Sequence, residues 1–266
     1  MVKKIKKIVF PLFLTIIFLF LFAPREYPDN FQFQEILNSF SKKQTIKQKD
    51  TNNQNSKRQV LVIFNSGGWG NTPLEKAQDF APIIEEIQKT LKNLGYNSVV
   101  APYKRTKDSF LGKIEGTRGI LTSFQNQSQK LAQEIEHFVK NNPGTKVIIA
   151  GLSNGGAFVN NIMERMPEDK RDDVLAIEAG VPFWENVSKS ENILLLDNGE
   201  KDPLAKKQTK VLFSTLLKAP FKWLSAKFSG NSISFSQALH VPGHDYFWES
   251  PSTGPQIITF LEEKIY

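Results

Sequence analysis

The chain has 266 residues, 40% of them apolar, which suffices for one sizeable domain with a real core and a tail. It has no cysteine, which excludes a disulfide framework, a thiolate metal site and a cysteine nucleophile. The net charge of +7 is uneven: residues 1–58 carry eleven Lys/Arg against four Asp/Glu, and residues 59–266 carry twenty-three of each, so the larger part lends charge support to no nucleic-acid role.

Lys3, Lys4, Lys6 and Lys7 precede an apolar run from Ile8 to Ala23. A basic head on a hydrophobic segment is the pattern of an export signal. As a helix the run is about 24 Å long against a bilayer core of about 30 Å, and snorkelling lysines with Ile5 make up the difference. Pro24 follows Ala23 directly and disfavours cleavage there, so residues 1–23 are expected to be an uncleaved signal anchor, with secretion after cleavage as the alternative. Either way the lysine cluster stays in the cytoplasm and the rest lies outside it. Phe33, Ile36, Leu37 and Phe40 have the spacing of a short amphipathic helix, expected to lie near the membrane. Ser41 to Arg58 is almost free of apolar residues and reads as a disordered linker. Residues 24–58 are therefore expected to be a polar tether, and residues 59–266 the domain.

Gln59 to Asn65 is a buried-strand run ending in the glycine-rich turn Ser66-Gly67-Gly68-Trp69-Gly70. Phe80, Ile83, Ile84, Ile87, Leu91 and Leu94 follow at helical spacing, stopped by Gly95. Asn97 to Tyr103 is a second strand, followed by a basic loop through Lys104, Arg105 and Lys107. Leu121, Phe124, Leu131, Ile135 and Phe138 form the next helical face. Strands are expected at Val174 to Val181, Ile193 to Asp197 and Ser232 to Leu239, and a closing helix through Ile257, Ile258, Leu261 and Ile265. Strands alternating with helices predict an α/β fold: a doubly wound, mainly parallel sheet of about six strands with helices on both faces.

The centre of the pattern is Lys146 to Met166. Val147 to Ala150 is a short apolar run, and Ala157, Phe158, Val159, Ile162 and Met163 share a helical face. Between them lies Gly151-Leu152-Ser153-Asn154-Gly155-Gly156. A strand that reverses into a helix within so few residues holds its central residue in a strained conformation, and glycines on either side relieve the crowding. Ser153 is thereby lifted to the unpaired N–H groups of a helix N-terminus, a place for a nucleophile.

On these residues the chain resembles the α/β-hydrolase superfamily of serine esterases and lipases from about Gln59 to Tyr266. The resemblance implies that the strand at Gln59 matches the family's third, the first two being absent or replaced, and that strand order reverses beside the Ser153 strand. It implies an acid after the strand at Ile193 and a histidine after the last strand. A serine hydroxyl needs a base to take its proton, and the base needs an orienting acid. His244, preceded by Gly243, is similar to the family's histidine and is preferred over His240; His137 reads as a surface residue. Asp202, three residues after Gly199, is similar to the family's acid and is preferred over Asp197, with Glu178 third. The order Ser153, Asp202, His244 is the hydrolase order. The oxyanion donors are expected from the N–H of Asn154 and from Trp69 or Gly68 in a turn where many relatives carry His-Gly. Only Pro182 to Asn192 separate two strands where relatives insert a lid, so the cap is expected to be minimal.

The implied function is a membrane-anchored serine hydrolase that cleaves a carboxylic ester, with lipids and lysolipids among the candidate substrates. It needs no cofactor, and no His/Asp/Glu cluster has metal-ligand spacing. Peptidase, amidase and acyltransferase chemistry use the same three residues, and a non-catalytic hydrolase-fold binding module at the cell surface is the rival from another class. A basic amphipathic stretch occupies Ala205 to Phe228. In it Pro220 is expected to start a second short helix, with Phe221, Leu224 and Phe228 on one face. Two accounts of the stretch stand open: the usual helix between the last two strands with a solvated lysine face, or contact of Trp223, with Lys222 and Lys227, with an anionic membrane surface.

Overall fold

The computed structural model describes residues 22–49, 58–230, 238 and 241–265. Among them are five strands: β1 (Gln59–Asn65), β2 (Asn97–Tyr103), β3 (Lys146–Leu152), β4 (Val174–Ala179) and β5 (Ile193–Leu196). They pair in parallel in the order β2-β1-β3-β4-β5. Around them, among the described residues, lie the α-helices α1 (Phe31–Lys49), α2 (Ala81–Asn93), α3 (Phe110–Leu121), α4 (Gln125–Asn141), α5 (Asn154–Arg165), α6 (Thr209–Phe228) and α7 (Gly254–Ile265).

The fold is α/β, a doubly wound parallel sheet, and the alternation of side chains along the strands explains its two layers. Leu61, Ile63, Val147 and Ile149 face one way and pack under α1, α4 and α5, against Phe33, Ile135 and Phe158 among others. Val60, Val62, Phe64 and Ile148 face the other way, against Ile84 and Ile87 of α2 and Ile257 and Leu261 of α7. β1 has β2 on one side and β3 on the other, so the chain changes direction across the sheet at β1. The C-terminal ends of β1 and β3 thus border the crevice where doubly wound sheets place their ligands. This is the reversal expected beside Ser153. The connection from β4 to β5 contains no helix, in keeping with a minimal cap.

Several expectations need correction. The expected strand Ser232 to Leu239 lies outside the described residues except for Ala238, which is buried and helical. The single helical face from Leu121 to Phe138 is two helices, because Ser123 and Phe124 take left-handed backbone conformations that break it. α3, capped by the Ser109 hydroxyl accepting from the Gly112 N–H at 2.8 Å, occupies a stretch for which no element was expected.

The helix through Phe33, Leu37 and Phe40 exists, but its apolar face is buried in the domain. Phe33 packs edge-on against Tyr103 at 5.2 Å, and Phe40 against Phe138 at 5.4 Å. The segment before it is bonded to the same body. Asn30 exchanges hydrogen bonds with the Lys104 backbone at 2.9 and 3.0 Å, and Ser109 donates to Glu26 at 2.9 Å. An apolar helical face buries itself against whatever apolar surface adjoins it, here the β2 side of the sheet. The packed body therefore begins well before Gln59. Among the described residues no helix is long and apolar enough to cross a membrane. Residues 1–21 of the expected anchor lie outside the described residues.

Candidate active site

β3 delivers its C-terminal end directly into α5, and the residue between them is Ser153, at φ 56° and ψ −121°. A non-glycine residue held there stores about 1–3 kcal/mol of backbone strain. The strain is fixed from both sides. The Ser153 N–H donates to the Ala179 carbonyl of β4 at 2.7 Å, and its carbonyl accepts from Ala157 in α5 at 2.9 Å. Gly151 sits under the first turn of α5, where a Cβ would reach within 2.8 Å of the Gly156 nitrogen. The Ser153 side chain does not cap its own helix, so the hydroxyl is not tied up by the backbone that positions it.

The loop after β5 carries Asp202, the expected acid. Asn198, Gly199 and Glu200 take left-handed conformations in succession, folding the chain back so that Asp202 is fully buried. Asp202 Oδ1 accepts from the N–H groups of Leu204 at 2.8 Å and Ala205 at 3.3 Å. Asp202 Oδ2 lies 2.8 Å from His244 Nδ1 and accepts from the Tyr246 hydroxyl at 2.6 Å. Burial alone would raise the Asp202 carboxyl, but the bonds from His244, Tyr246 and Leu204 outweigh it and hold the group below the usual carboxylate range. Tyr246 is buried, and burial together with Asp202 pushes its phenol far up, so it stays a proton donor.

His244 belongs to a loop fitted tightly onto the acid loop. Gly243, at φ 90°, has no room for a Cβ, which would stand 2.9 Å from the Lys201 carbonyl. Gly180, directly after β4, meets the imidazole: a Cβ there would stand 2.9 Å from Asp202 Oδ2 and 3.0 Å from His244 Nδ1. With Nδ1 committed to Asp202, His244 Nε2 is buried and has no partner among the described residues. His244 and Asp202 are thus brought together directly. Ser153 reaches the same corner through Ala179 and Gly180, and no hydrogen bond joins it to His244 among the described residues.

The turn after β1 also meets the serine. A Cβ on Gly67 would come 3.7 Å from that of Ser153, so this turn passes against the serine. The turn closes with the Gly70 N–H donating to the Gly67 carbonyl at 3.0 Å, with Gly68 at φ 56°. The N–H groups of Gly68 and Trp69 have no acceptor among the described residues. Asn154, the first residue of α5, donates from its side chain to the Gly68 carbonyl at 3.3 Å, joining the two sources of N–H donors. The Trp69 indole packs on α3, where its N–H lies 3.4 Å from the Thr117 hydroxyl.

Arg105, expected in a basic loop, is 1% exposed and lies behind this turn. Its guanidinium donates to the carbonyls of Ser66 at 2.6 Å, Gly68 at 3.3 Å and Asn154 at 2.8 Å. It stacks between Phe124 and Phe158, 4.8 and 5.5 Å from their centroids. Burial pulls it down to about 9, still charged at neutral pH. One planar fork therefore holds the β1 turn and the start of α5 in register.

The alternatives fall elsewhere. Asp197 forms an ion pair with Lys206 at 2.7 Å and accepts from the Glu200 N–H at 3.0 Å, bracing the turn. Glu178 is buried with neither oxygen partnered among the described residues, and burial, then Glu164, pushes its carboxyl well above the usual range. His137 is exposed beside Asn141. His240 lies outside the described residues. Sequence reasoning missed Arg105 and Tyr246. The second leaves a faint signal, standing two residues beyond the preferred histidine.

No family model and no curated protein matches the chain. Among solved structures it is similar to a Trichoderma reesei cutinase in complex with a C11Y4 phosphonate inhibitor, at 14% identity and a TM-score of 0.40 over 63% of this chain and 75% of that one.

Proposed function

We propose that the chain is a serine hydrolase of the α/β-hydrolase kind that cleaves a carboxylic ester through an acyl-enzyme. In this reading Ser153 Oγ attacks the acyl carbon while His244 Nε2 takes its proton. Asp202 holds the imidazole in the tautomer that leaves Nε2 free and stabilises the imidazolium. Tyr246 fixes the carboxylate. The oxyanion is received by the N–H of Asn154 and that of Gly68 or Trp69. His244 returns the proton to the leaving alkoxide, then activates water to release the acyl group.

The observation that carries the reading is the His244–Asp202 pair at 2.8 Å, its Nε2 buried and without a partner among the described residues, together with a serine strained at a strand-to-helix turn that bonds to the end of β4 under the imidazole. A binding module needs none of these together. Membrane attachment through residues 1–23, with the domain outside the cytoplasm, is part of the proposal. It rests on the lysine cluster and apolar run alone. Turnover of short-chain nitrophenyl esters by the purified protein tests the chemistry. Ser153→Ala should abolish it with the thermal transition within a few degrees of wild type. Undiminished hydrolysis by the variant would overturn the assignment.

A further inference from the structure

The outward face of α6 is the most prominent apolar surface that the proposed chemistry leaves unused. Leu217, Phe221, Leu224 and Phe228 are 55%, 75%, 42% and 88% exposed. Spacings of four, three and four residues set them in one stripe about 16 Å long. The inward side is the opposite one: Ala219 is the only buried residue among those described in the helix, and Trp223 is half-buried. Surface helices ordinarily turn their apolar stripe to the core, and this one turns it away.

The expectation for this stretch is reversed in two respects. The helix runs unbroken through Pro220 rather than restarting there. Phe221, Leu224 and Phe228, not Trp223, point outward, and the Lys227 ammonium lies over the indole at 5.2 Å.

We propose that α6 lies in the interface of a bilayer containing anionic lipid, with this stripe immersed among the acyl chains. Charge decides between occupants. The helix carries Lys210, Lys218, Lys222 and Lys227 and no acidic residue. At 100° per residue, Lys218 borders the stripe on one side and Lys227 on the other, with Lys222 farther round toward the buried side. An anionic surface balances that border, and lysine stems favour an interface where apolar and charged parts are both accommodated. A second copy of α6 would bring the same unbalanced lysines together. The basic head and apolar run of residues 1–23, read as an anchor, hold the domain at high effective concentration near lipid, so a weak contact suffices. Arg118 of α3, the helix on which the Trp69 indole packs, donates to the Ala23 carbonyl at 3.0 Å, so the chain that follows the apolar run is fastened to the domain.

The chain has no cysteine, so single cysteines can be placed without background. The full chain, bearing a nitroxide at Phe221→Cys, Phe228→Cys or, as control, exposed Lys140→Cys, is reconstituted into phosphatidylcholine vesicles with and without phosphatidylglycerol. Collision with oxygen and with a water-soluble nickel complex is then read by spin resonance. Labels at 221 and 228 should be shielded from nickel at least about tenfold relative to 140 in the anionic vesicles, as expected for side chains transferred out of water. Lys218→Gln and Lys227→Gln should each lower the equilibrium constant for immersion about fivefold, the weight of one lysine at such a surface. Circular dichroism and a thermal transition within a few degrees of wild type show that these variants are folded. A label at 221 as open to nickel as that at 140 overturns the proposal. So does shielding that is equal in neutral vesicles and indifferent to the lysines, which would mean that another part of the chain covers the stripe. Spin–spin broadening that persists on dilution into lipid overturns it in favour of a second copy.

Discussion

Replacing Arg105 with methionine tests how the candidate oxyanion site is held together. The guanidinium donates to three carbonyls, those of Ser66, Gly68 and Asn154, on two separate segments. Each carbonyl left without a donor costs about 1–3 kcal/mol. Methionine fills much of the volume and removes a buried charge that has no carboxylate partner among the described residues, which recovers part of the loss. A net destabilisation of about 3 kcal/mol is expected, read from urea melts. The rate should suffer more specifically. With the fork gone, the β1 turn and the start of α5 are no longer in register. Losing one oxyanion donor costs about 10²–10³ in kcat, and a donor displaced rather than lost should cost about 10²-fold. The signature is a fall in kcat with little change in KM, because the interaction is made in the transition state. Arg105→Lys should recover stability but little rate, since one ammonium cannot span both segments. A folded Arg105→Met variant within about threefold of the wild-type kcat would refute the reasoning.

Other outcomes follow from the same geometry. His244→Ala and Asp202→Asn should each lower kcat by about 10⁴-fold in steady-state assays, and Asp197→Asn and His240→Ala by far less. Asp202 is held below its usual range, so its ionised form stabilises the fold above the unfolded value and that contribution is lost as pH falls through the folded one. The stability gap between wild type and Asp202→Asn, followed by urea melts across pH, should therefore narrow below about pH 4. Deleting residues 1–57 removes Phe33, Leu37 and Phe40 from the core, at about 2 kcal/mol each, a large share of a typical domain's stability. That truncation should be insoluble or melt far lower, whereas removal of residues 1–21 should leave the melting temperature close to the full-length value.

The central unit was legible because its pattern changes period within six residues. A β-branched run gives way to apolar residues at helical spacing, with glycines where the backbone must crowd. Asp202 and His244 were legible through the glycines before them, and the structure gives the reason at Gly243, where a Cβ would strike the Lys201 carbonyl. Arg105 was not legible. A lone arginine between two lysines reads as solvated, and its burial depends on carbonyls far away in the chain, two in the turn after β1 and one at the start of α5. The Phe33, Leu37, Phe40 face was visible but its partner was not, since the same stripe suits a membrane or a protein core. The reverse held at α6, where Phe221, Leu224 and Phe228 were read as one face, but nothing in the spacing says which way that face turns.

The central claim is that Ser153 is a nucleophile activated by His244. Treatment of the purified full-length protein with a fluorophosphonate, followed by peptide mapping, tests it most directly. The account predicts a single covalent adduct on Ser153 that forms at least about 10²-fold more slowly in His244→Ala. An adduct on another residue, or equal labelling of Ser153 when His244 is absent, would contradict it.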